Sequence, residues 1–144
     1  MPDILHEVTI KAPPVKVYKA LTEQRGLAAW WTKDTTAQPK VGTISQFKFG
    51  GGQATFNYKV DVLEPDKKVQ WTPLDGGPPD WSGTRVTWDL TPVENGTKVL
   101  FGHRGYASTD GSFASVNYNW GGYLISLKHY LETGKGTPHP EERF

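Results

Sequence analysis

The chain has 144 residues, 16 basic and 15 acidic side chains for a formal charge of +1, and no cysteine. A balance this even, spread without long runs, removes the usual electrostatic basis for binding nucleic acid or an anionic membrane. The missing cysteines exclude a disulfide framework, a thiol nucleophile and a cysteine metal site. The length suits one domain, residues 1–144, with a single core, and six Trp, six Tyr and six Phe make rings its main building material.

"MPDILHEVTI" lacks a basic region followed by a long apolar stretch, and nowhere do enough apolar residues run together to span a bilayer. The expectation is a soluble, cytoplasmic protein without membrane insertion. "ILHEVTI" alternates, with His6, Val8 and Ile10 on one face and Leu5, Glu7 and Thr9 on the other, which predicts a strand. Pro13 and Pro14 then open a short helix carrying Val17, Tyr18 and Leu21. A second short helix follows, with Thr22 as the expected N-cap and Leu27, Trp30 and Trp31 as its apolar side. Adjacent helical positions diverge by about 100°, so one of the two indoles is expected inside and the other at the surface.

From Gly42 the pattern changes to strands separated by turn residues. "TISQFKF" aligns Phe47 with Phe49, and "GGG" turns the chain. "ATFNYKVDVLE" sets Ala54, Phe56, Tyr58, Val60 and Val62 on one face, "KKVQW" pairs Val69 with Trp71, and "GTRVTWDL" aligns Val86, Trp88 and Leu90. Asn95-Gly96 marks a tight hairpin into "TKVLFGH", where Val99, Phe101 and His103 share a face. "PLDGGPPDW" reads as a loop that presents Trp81, either packed or capping a pocket mouth.

The last long element is an amphipathic helix. Phe113, Val116, Trp120, Leu124, Leu127 and Leu131 fall in one stripe, with Tyr123 and Tyr130 along its edge, and Gly134 as its stop. Gly121 and Gly122, side by side in its interior, each cost about 1 kcal/mol relative to alanine. Close approach of a neighbouring loop or short helix is the favoured reason for them, with local softness that admits a ligand as the alternative. The tail after Gly136 is expected to be an irregular surface segment, with His129 and His139 solvated.

This order predicts an α+β layer, an antiparallel sheet with its helices on one side. The strand faces that meet the helix carry so many rings that a cavity between helix and sheet is expected, with Tyr58, His103, Tyr123, Ser126 and Tyr130 as the candidate polar groups. No spaced histidine pair marks a metal site. "FGGGQ" sits between strands and is a poor phosphate loop, and no nucleophile elbow is present. No metal and no cofactor is expected, and no residue stands out as catalytic.

"VTIKAPPVKVYKALTEQRGLAAWW", "EPDKKVQW", "GTRVTWDLTPVENGTKVLFGH" and "WGGYLISLKHYLETGKGTP" together resemble the activator of heat-shock protein 90 ATPase-like group. That group lies within the START-like (SRPBCC) superfamily of polyketide cyclases and birch-pollen-allergen-like proteins. The resemblance spans residues 5–138 and implies a helix-grip fold: a seven-stranded antiparallel sheet wrapped around the C-terminal helix, two short helices closing one end, and a hydrophobic pocket. It does not imply one activity, because members of such folds serve unrelated functions. In the eukaryotic co-chaperone a further N-terminal domain takes part in binding the chaperone, so a chaperone partner is the weaker expectation for this single domain.

The expected function is therefore binding of a small hydrophobic molecule, lipid-like or aromatic and polyketide-like. The ligand-binding residues expected from the inward faces are Trp30, Phe47, Phe56, Tyr58, Trp71, Trp81, Trp88, Phe101, His103, Trp120, Tyr123, Leu124 and Leu127. The alternatives are a cyclase or hydrolase in which His103 or a tyrosine moves a proton, and a chaperone-activating interaction domain. His103 is otherwise a rim histidine and His6 a structural one. Nothing in the pattern sets an oligomeric state.

Overall fold

A computed structural model describes residues 1–144. The chain begins with β1 (Ile4–Ile10), then α1 (Pro14–Thr22) and α2 (Gln24–Trp30). Six further strands follow: β2 (Asp34–Thr36), β3 (Ile44–Phe49), β4 (Ala54–Glu64), β5 (Lys68–Pro73), β6 (Arg85–Val93) and β7 (Gly96–Arg104). The last helix, α3, spans Phe113–Thr133. All seven strands form one antiparallel sheet in the order β1-β7-β6-β5-β4-β3-β2. This is the α+β helix-grip arrangement, with the sheet curved around α3. No helix is long and apolar enough to cross a membrane.

Alternation decides the core. Ile10, Phe47, Tyr58, Val69, Trp71, Val86, Trp88, Val99 and Phe101 are all buried on the inner face, and Trp120, Leu124 and Leu127 of α3 meet them. The β4 pattern departs from strict alternation. A bulge between Val60 and Val62 shifts the register, so Leu63 pairs with Val69 and packs on the core, and Val62 loses the place that alternation assigns to it.

Pro13 caps α1 and Pro14 supplies its first residue, where a missing N–H costs nothing. Thr22 is not the cap of α2. It is the last residue of α1, its hydroxyl donating to Tyr18 O at 2.9 Å, and extended Glu23 makes the break. The corner between the two helices is tight: Trp30 Nε1 donates to Ala20 O at 2.8 Å, and Gly26 lies where a β-carbon would stand 2.6 Å from Ala20 Cα. Both indoles of the Trp30-Trp31 pair are buried, against the expectation that one is outside. Trp31 leaves the helix at φ −105°, ψ −72°, and its ring lies over Trp30 at 5.7 Å and 9°. The glycine stop of α3 forms as expected, with Gly134 left-handed at φ 89° and its N–H donating to Tyr130 O.

Candidate functional site

The core is solid under the C-terminal half of α3 and open under its N-terminal half. A cavity of about 300 Å³ lies between α3, the β3–β4 hairpin and the short turn at Pro79–Trp81. Trp31, Phe49, Phe56 and Trp81 form its sheet side, and Val116, Trp120 and Tyr123 its helix side. Ser112, Ser115 and Asn119 follow the outer edge of α3 and give the mouth its polar rim. No lysine, arginine, aspartate or glutamate lines it. Such a lining leaves an occupant's charge without a partner.

Local chemistry positions each wall. Asp80 reaches across to the start of α3, accepting from Ser112 N at 2.9 Å and from Ser112 Oγ at 2.7 Å. The Ser112 hydroxyl is the main reason its carboxyl is held below the usual range, and a carboxylate there suits the positive end of the helix. This link fixes Trp81 against Phe56 at 5.1 Å and against His103 at 5.3 Å. Trp81 is therefore buried, 6% exposed, and packed, and it also lines the cavity.

His103 lies behind Trp81 and Trp120 rather than on the lining. Thr84 Oγ1 donates to Trp81 O at 2.6 Å, which leaves it to accept from His103 Nε2 at 2.9 Å. His103 Nδ1 then accepts from Tyr106 Oη at 3.1 Å and from Trp120 Nε1 at 3.4 Å. Burial lowers its pKa to about 4 against a smaller opposing pull from Asp80. It is a neutral, fully bonded strut, neither at the rim nor free to shuttle protons. Burial likewise raises the Tyr58 and Tyr106 phenols, and Tyr58 Oη and Trp81 Nε1 are buried without a hydrogen-bond partner.

Among the residues expected at the site, Phe56, Trp81, Trp120 and Tyr123 line the cavity. The structure places Trp30, Phe47, Tyr58, Trp71, Trp88, Phe101, His103, Leu124 and Leu127 in the packed core instead. Of the expected polar groups, Ser126 donates to Trp30 O at 2.7 Å and is used up in packing. Tyr130 lies at a separate open groove with Leu131 and Lys19. The residues expected at the site left out Trp31, Phe49, Pro78, Val116 and the Ser112, Ser115 and Asn119 rim, although Trp31, Phe49 and Val116 stood on apolar faces in the sequence. The available signal was the Ser115–Asn119 spacing of four, which runs along the flank of the Val116–Trp120 stripe.

The family described as activator of Hsp90 ATPase homolog 1-like protein matches residues 11–132. The chain belongs to that family. The solution structure of the Aha1 dimer from Colwellia psychrerythraea is 41% identical, with a TM-score of 0.86 over 94% of this chain and 100% of that one. DynU16, from the dynemicin biosynthetic locus, is 26% identical with a TM-score of 0.78, covering 98% of this chain and 49% of that chain. CalU16 from Micromonospora echinospora, 17% identical over 92% of this chain and 77% of that chain, shares the fold at a TM-score of 0.73. A comparison with curated proteins finds no match.

Proposed function

We propose that this protein binds a small, uncharged, predominantly aromatic molecule in the cavity under the N-terminal half of α3, as a carrier or sequestering protein and not as a catalyst. The observation that carries this reading is the ring-built lining with no charged side chain. A cavity of about 300 Å³ sits at the small end of ligand sites, near 300–1,000 Å³, so two or three fused rings suit it better than a long acyl chain. DynU16, as a product of a biosynthetic locus, fits a role beside such molecules. A proton-moving reaction has less support, because His103 is sealed behind two indoles with both nitrogens engaged. A chaperone-activating role has less support than binding, because it leaves the ring-lined cavity without an occupant. The relative from Colwellia is a dimer, and a dimer is the assembly expected of this protein in sedimentation.

Native mass spectrometry of freshly purified protein, combined with a thermal-shift panel of neutral bicyclic and tricyclic aromatics against fatty acids, tests the reading. Expected is a midpoint rise of several degrees with the aromatics and little with the acids. No rise with any aromatic, together with no co-purified mass, overturns it.

A further inference from the structure

The C-terminal residues do not form the loose surface tail that their composition suggests. His139 N donates to Trp31 O at 2.7 Å, and Lys33 N donates to His139 O at 3.2 Å, so the chain is pinned beside the end of α2. Gly50 N donates to His139 Nε2 at 2.9 Å, which leaves Nδ1 to donate to the Glu142 carboxylate, also at 2.9 Å. His139 is thus half-buried and bonded, not solvated. Glu142 also accepts from Tyr123 Oη at 2.6 Å. Finally Phe144 lays its ring against Tyr123, 4.9 Å between centroids and perpendicular.

Two cavity walls are held from behind by this segment. Phe49, 5.0 Å from the His139 ring, belongs to the β3–β4 side, and Tyr123 belongs to α3. Their rings stand 6.3 Å apart and close that flank. Gly122 explains itself in the same contact: a β-carbon there would land in the Phe144 ring, whereas one on Gly121 would meet only His6 Cε1 at 3.5 Å. The neighbour that needs the glycine is the C-terminus, not a loop or a short helix.

We propose that His139, Glu142 and Phe144 are positioning residues, a clasp that fixes Phe49 and Tyr123 as the outer wall and thereby sets the length of ligand the cavity accepts. The proposal rests on the cavity being the binding site. With the clasp in place Tyr123 holds one rotamer, because its ring is packed on one edge and its hydroxyl is anchored. Without it the side chain regains rotamer freedom, and the flank opens toward solvent.

Two neutral fluorescent probes of different length, N-phenyl-1-naphthylamine and diphenylhexatriene, read this directly. Wild type is expected to favour the shorter probe. Gly122→Ala, which expels Phe144 without touching the lining, and Glu142→Ala should each shift the affinity ratio at least five-fold toward the longer probe. Glu142→Gln, whose amide oxygen still accepts from Tyr123, should keep the wild-type ratio. A purely structural segment would weaken both probes alike. Proton NMR supplies a readout that needs no ligand: cross-peaks between the Phe144 and Tyr123 rings in free wild type, lost in Gly122→Ala. Absence of those cross-peaks in wild type, or an unchanged ratio in both variants, overturns the clasp. A wild type that shows the ring contact yet takes up neither probe refutes the cavity reading, and the proposal falls with it.

Discussion

Trp31 stands where the packed core ends and the cavity begins. It is stacked on Trp71 at 6.0 Å and 5°, touches Phe47 at 4.2 Å and Trp120 at 5.0 Å, and still presents an edge to the cavity. Trp31→Ala is expected to cost about 3–5 kcal/mol, the range for removing a buried large aromatic, measured by urea unfolding, and to abolish probe binding. Helical spacing put this residue on the apolar side of α2 but set it about 100° from Trp30; the helix ends at Trp30, and Trp31 at φ −105°, ψ −72° brings its ring in over that neighbour. His103 makes a second residue-scale prediction. Its pKa is about 4 in the folded protein against an ordinary 6.5. Above pH 6.5 neither state binds the proton. As pH falls, the unfolded chain takes it first, so stability is lost from about pH 6.5 down to about pH 4, by about 3 kcal/mol in all. Urea midpoints measured from pH 7 to pH 4 should show that fall. His103→Gln should start lower, having lost part of its bonding, but decline less over the same window.

At the scale of elements, the junction of α1 and α2 is set by the absence of one carbon. A β-carbon on Gly26 would press on the backbone of Ala20, which has no flexible side chain to give way. Gly26→Ala should therefore lower stability by about 1–3 kcal/mol through forced separation of the helices. Gly121→Ala, with ordinary contact distance to its neighbour, should raise it by up to about 1 kcal/mol. Thermal melts of the two variants side by side check the opposite signs. Both are glycines inside helices, so local sequence does not separate them; only the facing surface does. The same limit governs the strands. Alternation placed the inner faces of β1, β5, β6 and β7 correctly, since a strand half-buried on one side must repeat every two residues. It failed at the β4 bulge, where one extra residue reverses the faces, and at β2, whose three residues are too few to show a period. The C-terminal clasp was illegible for a further reason: its contacts are long-range, joining residues 139–144 to Gly50, Gly122 and Tyr123, and nothing in a Pro- and Glu-containing tail announces them.

Across the whole molecule the rings are divided between two tasks, and the division follows position along α3. Toward Leu124 and Leu127 the helix meets a filled interior, and its far end is tied to the start of the chain by Lys128 Nζ donating to Thr9 O and Lys11 N donating to Glu132. Toward Val116 the same helix spans a gap, held at its start by Asp80 and at its flank by Glu142. The family resemblance pointed to a pocket between helix and sheet, and the aromatic strand faces made one plausible, but composition does not say which rings surround space and which fill it. A domain that leaves about 300 Å³ open beside a well-packed core forgoes the dispersion and burial that a larger side chain would contribute. Filling that space should then stabilise the fold while removing the proposed ligand binding. Val116→Phe puts a ring into the cavity from α3, at a helical position where valine and phenylalanine have similar propensity. The expected outcome is an unfolding midpoint equal to or above that of wild type, together with at least a ten-fold loss of affinity for N-phenyl-1-naphthylamine in a fluorescence titration. Retained affinity in a correctly folded variant would mean that the ligand sits elsewhere, and a lowered midpoint would mean that the space is not available to an added ring.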